Sequence, residues 1–280
     1  MDSALYVVAT PIGNLGDITR RGLEVLAGVD LIAAEDTRRT GQLLSLEGIE
    51  TPLFAYHEHS AREASDKLVE RIRDGAAIAL VSDAGTPTIS DPGYRLVRAV
   101  SDAGLRVVPV PGACAAIAAL SAVGLPSDRF AFEGFLPNKS GARRARLLEL
   151  AGADATLIFY EAPHRLVACL ADMVELFGAD RELAIARELT KTFETLRRGS
   201  LSEMLAWVQS DSNQSRGEIV LLLGPAPKKS NDLTIDENLG ALLESMAEHM
   251  PAKQAAKLLA TYSGVRAKEL YNHLIARRSP

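Results

Sequence analysis

The sequence predicts an α/β protein that contains two α/β domains followed by a small helical module. Short apolar runs rich in strand-forming residues alternate with helix-like segments as far as Leu223, which is typical of mostly parallel sheets covered by helices. From Asp232 onward the pattern is helical, with no strand signal. The 280 residues also exceed what one hydrophobic core usually fills, because single domains hold roughly 50–200 residues.

The first α/β domain is expected over residues 1–122. Its strand-like runs are residues 5–9, 29–34, 76–81 and 105–110. Asp17 is expected to cap a first helix, because aspartate is a favoured N-cap residue and an apolar helical face follows it. Two further helices are expected over residues 61–73 and 94–103. The alternation favours a mostly parallel sheet.

The second α/β domain is expected over residues 123–227 and is predicted to contain a mixed sheet. Its strand-like runs are residues 130–132, 156–160, 183–186 and 218–223. Its helix-like segments are residues 142–150, 166–177 and 202–209. Residues 224–231 then predict a linker, because proline, glycine and polar residues dominate there.

The helical module is expected over residues 232–280. Three helices are expected, and the last two flank a break at Ser263 and Gly264, which gives a helix-turn-helix outline. From Met250 onward six basic residues stand against one acidic residue, Glu269, so this tail carries +5 in a chain of −5. An acidic partner and a solvated helical surface explain this asymmetry equally well.

Composition disfavours several other classes of protein. Two cysteines are too few for a secreted disulfide framework and fit a reducing cytosol, so a cytoplasmic location is expected. The N-terminus has no signal-peptide pattern, and prolines and glycines interrupt the uncharged stretch 107–127, which disfavours a membrane span. No G-x-S-x-G nucleophile motif occurs. His57 and His59 are expected to be surface histidines, so no metal site is predicted.

Three segments rich in glycine and small residues each follow a predicted strand of the first domain. They are residues 10–17 (TPIGNLGD), 82–93 (SDAGTPTISDPG) and 109–116 (PVPGACAA). Glycine lets a backbone approach a ligand closely, and open α/β sheets bind ligands at the carboxyl ends of their parallel strands. One such loop could be an ordinary turn, but three in one domain predict a cofactor site.

Charged residues also follow predicted strands, at residues 34–39, 160–165, 186–191 and 216–218. They are either solvated ion pairs of little energetic worth or the walls of a polar cleft between the domains. A separate basic cluster consists of Lys139, Arg143, Arg144 and Arg146. Basic residues near a helix N-terminus oppose the helix dipole, which slightly favours phosphate contact over a merely solubilising helix start.

Taken in order, six motifs resemble the bacterial small-subunit ribosomal RNA methyltransferases of the tetrapyrrole methylase superfamily. They occupy residues 10–17, 34–38, 82–87, 111–115, 160–165 and 188–191. The resemblance covers essentially the whole chain, including the helical module. It implies two α/β domains of the tetrapyrrole methylase type, S-adenosylmethionine in the cleft between them, and a homodimer. It further implies 2′-O-methylation of one cytidine in the decoding region of 16S ribosomal RNA within the small ribosomal subunit.

Carried over motif by motif, the resemblance implies which residues meet the cofactor. The expected cofactor contacts of the first domain are Pro11, Ile12, Asp83, Gly85, Thr86, Ile89, Gly112 and Ala113. Those of the second domain are Tyr160, Ala186, Gly217 and Glu218. The expected RNA contacts are Arg38, Lys139, Arg143, Arg144 and Arg165.

Methyl transfer to a ribose hydroxyl benefits from a general base. The candidate bases are Asp36, Glu161, His164 and Glu188, and Lys191 could lower the pKa of the hydroxyl. The sequence does not rank these residues. Methylation of a small tetrapyrrole and RNA binding without catalysis are the rival functions. The basic helical module disfavours the first rival, and the three strand-end loops disfavour the second.

Overall fold

The computed structural model describes residues 1–57, 61–227, 235 and 237–278. The chain divides into two compact units, Met1–Ala226 and Pro227–Pro280. The first unit contains two five-stranded sheets, and the second consists of helices. The predicted α/β class with two sheets and a C-terminal helical region is thereby confirmed. The domain boundary expected after residue 122 lies inside the first compact unit.

The first sheet is parallel throughout. Its strands are β1 (Ala4–Val8), β2 (Leu31–Ala34), β3 (Leu53–Ala55), β4 (Ala77–Val81) and β5 (Val107–Val110). The helices between them are α1 (Arg20–Gly28), α2 (Thr37–Leu46), α3 (Ala61–Arg73) and α4 (Tyr94–Asp102). The strand order is β3–β2–β4–β1–β5.

Helices cover both faces of this sheet. Leu26 of α1 and Leu44 of α2 pack on one face, and Leu68 of α3 and Leu96 of α4 pack on the other. Strands β2 and β4 are consequently buried at every position, which explains their continuous apolar runs. Because burying a leucine side chain stabilises by roughly 1.5–3 kcal/mol, these layers make the sheet a firm support for the loops at its carboxyl edge.

The second sheet is mixed, as predicted. Its strands are β6 (Phe130–Phe135), β7 (Thr156–Glu161), β8 (Glu182–Arg187), β9 (Thr195–Ser200) and β10 (Ile219–Leu223). The strand order is β6–β7–β10–β8–β9, with β6 and β7 parallel and the other neighbours antiparallel. One face packs against α6 (Ser140–Leu150), α7 (Leu166–Phe177) and α8 (Leu201–Ser210).

Helix α5 (Ala115–Val123) covers the other face of the second sheet, although the sequence assigned this segment to the first domain. Its residues Ala116 and Leu120 pack with Val220 of β10, and Ile12 from the β1–α1 loop joins the same cluster. Small side chains let this helix lie close to the strands. The β5–α5 loop therefore connects the first sheet to a helix that packs on the second sheet.

The second compact unit contains α9 (Glu237–His249), α10 (Ala252–Ser263) and α11 (Ala267–Arg278), which confirms the three predicted helices. Leu243, Leu259 and Leu274, one from each helix, share its core. Gly264 has a φ of 74°, and this left-handed conformation ends α10 and begins the turn into α11. Within the described ranges, no helix combines the length and apolar character needed to cross a membrane.

Some local predictions were wrong. Asp17 lies in a short 3-10 turn, and Thr19 caps α1 instead, because its hydroxyl accepts a hydrogen bond from the N–H of Gly22 over 3.0 Å. The apolar pattern of the sequence also did not reveal α2, β3 and β9. Residues 228–231 of the expected linker lie outside the described residues.

Candidate active site

Hydrogen bonds join three loops at the carboxyl edge of the first sheet. The N–H of Thr10 donates to the carbonyl of Gly85 over 2.9 Å, and the N–H of Gly85 donates back over 3.0 Å. The hydroxyl of Thr86 donates to the carbonyl of Ala113 over 2.9 Å. These bonds connect the β1–α1, β4–α4 and β5–α5 loops, which are the three segments predicted to form a ligand site.

A first cavity of about 370 Å³ lies between these loops and the second sheet. Its walls are largely apolar, and they include Ile12, Ile89, Ala115, Phe135, Tyr160 and Val220. Small-molecule sites typically enclose about 300–1,000 Å³ and combine apolar walls with a few polar groups. The first cavity therefore has the size and character of a site for a flat, mainly apolar ligand.

Asp91 is a carboxylate in the lining of this first cavity. Among the described residues it forms no ion pair, and the nearby hydroxyl of Ser82 favours its charged form. Burial, together with the nearby carboxylates of Glu35 and Asp83, outweighs the opposite effect of Ser82 and raises the pKa of Asp91 from 3.8 to about 6. Asp91 can therefore stabilise a cationic group in the cavity.

A second cavity of about 320 Å³ adjoins the first and shares Ile12, Ala84 and Glu218 with it. Lys191 lines this second cavity, and its ammonium lies 2.9 Å from Glu188 and 3.1 Å from Glu218. Burial lowers the pKa of Lys191, but the two carboxylates outweigh burial and raise it above its ordinary value. Lys191 is therefore a fixed positive charge at neutral pH.

The stem of Lys191 lies against the β1–α1 loop. A Cβ atom added to Gly13 would lie 2.4 Å from Cγ of Lys191, so only glycine fits at that position. Similarly, a Cβ atom added to Gly217 would lie 2.3 Å from the carboxyl carbon of Glu188. The β1–α1 loop of the first sheet and the β8–β9 loop of the second sheet are thus in close contact near the ammonium of Lys191.

Backbone strain is concentrated around the cavities. Among the described residues, the non-glycine residues with positive φ are Thr88, Ser90, Glu188 and Thr190. The first two lie in the β4–α4 loop and the last two in the β8–β9 loop. Such conformations cost about 1–3 kcal/mol each and are often found at functional sites. Their placement supports a functional role for both loops.

Comparison with known proteins identifies the family. The sequence profile described as Tetrapyrrole (Corrin/Porphyrin) Methylases matches residues 4–205. The chain is 53% identical to ribosomal RNA small subunit methyltransferase I of Pseudomonas aeruginosa, over 98% of this chain and 97% of that protein. The protein of the same name from Haemophilus influenzae is 51% identical, over 97% and 96%. The chain belongs to the ribosomal RNA small subunit methyltransferase I family.

Two further comparisons agree with this assignment. A profile described as RsmI C-terminal HTH domain matches residues 234–278. Among solved structures, uroporphyrin-III-C-methyltransferase from Thermus thermophilus matches with a TM-score of 0.57 and 21% identity, over 80% of this chain and 95% of that one. The methyltransferase CobJ matches with a TM-score of 0.60 and 20% identity, over 80% and 94%. These two structures show that the methyltransferase I family shares the tetrapyrrole methylase fold.

In this methyltransferase I family member, the expected cofactor residues line two cavities or lie beside them. Seven line the first cavity: Ile12, Gly85, Thr86, Ile89, Tyr160, Gly217 and Glu218. Pro11 and Asp83 line the second cavity. Ala113 accepts the hydrogen bond from Thr86, and Ala186 packs beneath the cavity in the core. Gly112 packs against the residue that follows β1, and an added Cβ would lie 2.9 Å from Cβ of Ala9.

The candidate bases have different surroundings. Asp36 caps α2, and bonds from Arg38 hold its pKa well below the ordinary value. Burial would raise the pKa of Glu188, but the hydrogen bonds from Lys191 and from the N–H of Glu218, with the nearby positive charges, together outweigh burial and lower that pKa. Both carboxylates are poor proton acceptors near neutral pH. His164 is exposed and does not belong to the lining of either cavity.

Glu161 lines the first cavity, but its carboxylate is buried and already bonded. Arg165 lies 3.1 Å from it, and the N–H of Ala162 donates to it over 2.7 Å. The guanidinium of Arg165 also donates to the carbonyl of Leu136 over 2.6 Å. This arrangement assigns both charged residues to the support of the β6–α6 loop.

The expected RNA contacts are mostly engaged within the protein. Arg143 is buried and lies 2.7 Å from Asp172 of α7, so its guanidinium does not reach solvent. Arg144 pairs with Asp172 and with Glu175 of the same helix. These pairs attach α6 to α7, and they contradict RNA contact by Arg143. Lys139, which precedes α6, is exposed.

Sequence reasoning did not single out Asp91 or Gln42, and it included Arg39 only as part of the charged segment 34–39. Asp91 lies inside the β4–α4 loop that the sequence had singled out, and an acidic residue among the small residues of that loop was an available signal. Arg39 and Gln42 lie on α2, which was not predicted. Within the described residues no cluster of three or more His, Cys, Asp or Glu side chains could hold a metal. His59 lies outside those residues.

Proposed function

We propose that this protein transfers a methyl group from S-adenosylmethionine to the ribose 2′-oxygen of a cytidine in 16S ribosomal RNA. The observation that carries the proposal is identity of 51–53% over nearly the full length of proteins named ribosomal RNA small subunit methyltransferase I. The nucleotide and the acceptor atom follow from the motif resemblance. The RNA is recognised within the small ribosomal subunit.

The first cavity fits the cofactor. Its small residues Gly85 and Ala115 allow a flat group to approach the main chain, and Ile12 and Ile89 supply apolar contacts. Asp91 offers a negative charge for the positively charged part of the ligand. When bound, S-adenosylmethionine supplies an electrophilic methyl group on a sulfonium. The protein positions it and excludes water.

Lys191 is proposed to act on the acceptor. Its ammonium stands at the second cavity, next to the shared wall formed by Glu218. A fixed positive charge there favours ionisation of a nearby hydroxyl and stabilises the oxygen as its proton passes to water. Glu188 and Glu218 hold the ammonium in place.

The function is tested with labelled S-adenosylmethionine and small ribosomal subunits that lack the modification. Mass mapping is expected to place one methyl group on a cytidine ribose. Ala115→Phe fills the first cavity and is expected to abolish cofactor binding in calorimetry, whereas Ser121→Phe, on the exposed side of α5, should bind normally. A methyl group on a base, or transfer to a tetrapyrrole and not to RNA, would contradict the proposal.

Asp91→Asn is expected to weaken S-adenosylmethionine binding roughly tenfold, because a charged hydrogen-bond partner is lost. In the wild type, affinity should increase as pH rises through about 6, where Asp91 ionises. In the variant this pH dependence should disappear. Calorimetry from about pH 5 to about pH 8 measures both effects, and identical profiles would show that Asp91 does not contact the ligand.

The same substitution should affect stability in the opposite direction. The folded-state pKa of Asp91 lies above its ordinary value of 3.8, so folding favours the protonated form. The wild type should therefore lose stability as pH rises from about 4 through about 6. Asp91→Asn should lack this loss and melt at a higher temperature than the wild type at pH 8.

The second compact unit is proposed to contact RNA phosphates. Lys253 and Lys257 are exposed one turn apart on α10, and Lys268 is exposed on α11. Lys253→Glu combined with Lys257→Glu should weaken binding to small subunits and reduce its salt dependence, because fewer counterions are released. Lys67→Glu on α3 is the control. If RNA binding by the variant has the same salt dependence as in the wild type, these two lysines do not contact RNA phosphates.

Assembly and location complete the proposal. The motif resemblance implies a homodimer, and the low cysteine content favours a cytoplasmic enzyme that meets ribosomal subunits there. Light scattering of the purified full chain tests the dimer directly, and a monomeric mass at working concentration would contradict it.

A further inference from the structure

The second cavity has a mixed lining, most of which does not belong to the expected cofactor contacts. One wall consists of leucine side chains, Leu15, Leu43 and Leu46, and the other groups include Arg39 and Lys191. Its volume of about 320 Å³ suffices for a small organic group. The cavity therefore offers apolar surface and two cations next to the first cavity.

Helix α2 presents one face to this cavity. Arg39, Gln42, Leu43 and Leu46 all line it, and their spacing of three, four and seven residues places them on the same side of the helix. The side that packs into the core carries Leu44 instead. Leu46 is 68% exposed, so this part of the helix face is apolar and open.

The cationic groups of the cavity are held in fixed positions. Arg39 lies 3.3 Å from Asp83, and Asp83 also accepts a hydrogen bond from the N–H of Asp36 over 3.0 Å. The ammonium of Lys191 is held by the carboxylates of Glu188 and Glu218. Arg39 remains 67% exposed, so its guanidinium can also bind an anion.

A methyl transfer requires the acceptor oxygen to lie directly beside the cofactor. Ile12, Ala84 and Glu218 form a wall common to both cavities, so a group in the second cavity lies next to one in the first. An acceptor nucleotide has an apolar base face, polar base edges and a phosphate. The leucines, Gln42 and Arg39 match these three features in turn.

We infer that the second cavity binds the nucleotide that carries the acceptor ribose, with the α2 face as its recognition surface. This inference rests on the proposed transfer to RNA. Gln42 contacts the polar edge of the base, because its amide both donates and accepts hydrogen bonds. Arg39 contacts a flanking phosphate, and Leu43 and Leu46 contact the base face.

The test compares Arg39→Ala, Gln42→Ala and Leu46→Ser in the full-length protein. Each side chain is largely exposed, so the fold should persist, as circular dichroism will show. Catalytic efficiency with small ribosomal subunits is expected to fall roughly tenfold or more, mainly through KM. The dissociation constant for S-adenosylmethionine should stay within about twofold of the wild type, since none of these side chains lines the first cavity.

Two controls match the changes. Arg98→Ala removes an arginine that is 65% exposed and paired with Asp102, much like Arg39, but lies on α4 away from both cavities. Ser45→Ala changes an exposed residue of α2 that does not line the second cavity. Both controls should retain wild-type kinetics.

The outcomes separate this inference from the proposed function. If the wild type fails to methylate RNA, the proposed function is wrong and the inference falls with it. If the wild type is active and the three variants keep its catalytic efficiency, the second cavity does not bind the acceptor. Loss of cofactor affinity in the variants would also overturn the inference, since the cavity would then belong to the cofactor site.

Discussion

Glu161→Ala is expected to destabilise the protein by about 3–5 kcal/mol, because it leaves the guanidinium of Arg165 buried without its partner. The carboxylate of Glu161 is fully buried, and Arg165 lies 3.1 Å from it with a side chain only 12% exposed. Arg165 also donates to the carbonyls of Leu136 and Pro137. The substitution therefore disturbs the loop that follows β6 as well as the ion pair.

Urea unfolding of the full chain, followed by circular dichroism, measures the effect. Glu24→Ala is the matched control, since Glu24 pairs with Arg20 over 3.0 Å at the surface, where such pairs are worth little. Glu161→Gln, which keeps the shape of the side chain, separates stability from chemistry. If Glu161→Gln unfolds like the wild type but loses turnover, Glu161 acts in the reaction and its role as a support is wrong.

The sequence predicted those parts of the fold that have strong apolar periodicity. Helix α7 was expected over residues 166–177 and has these limits, because Leu166, Leu170 and Met173 recur on one buried face. Strand β9 was missed because it lies at the sheet edge and carries exposed Arg197 and Arg198. An edge strand buries few of its side chains, so its sequence shows little alternation of apolar and polar residues.

Helix α2 was missed for a related reason. Its sequence TRRTGQLLSL contains a central glycine and few buried positions, and only Thr40 and Leu44 are buried. Its leucines at 43 and 46 face a cavity and not the core. Some apolar residues of α2 therefore pack into the core, and others line the second cavity. The sequence alone could not show which residues do which.

The three strand-end loops could be predicted because their composition is local and their position follows from the sheet. The partners of charged side chains could not be predicted in the same way. Arg143 meets Asp172, 29 residues away, only because α6 packs against α7. Lys191 meets Gly13 across the two sheets. Such pairings depend on tertiary packing. Only the folded structure therefore shows which charged side chains stabilise the fold and which remain available to a ligand.

Lys191→Ala is expected to lower the turnover of RNA methylation about 100-fold or more, while cofactor affinity stays within about twofold of the wild type. Lys191 lines the second cavity and not the first, so its loss should spare the cofactor. The bonds to Glu188 and Glu218 keep its pKa raised, so it contributes a positive charge and not a base. Removing it also leaves two carboxylates facing each other near the acceptor.

Single-turnover methylation of small ribosomal subunits, with calorimetry for the cofactor, measures the two effects separately. Lys67→Ala on α3 controls for the loss of an exposed lysine. Glu188→Gln provides a second variant, because it removes one partner of the ammonium while leaving the charge of Lys191 in place. Its turnover should fall less than that of Lys191→Ala. Wild-type turnover in Lys191→Ala would mean that the hydroxyl loses its proton without help from this ammonium, and the catalytic role of Lys191 would be wrong.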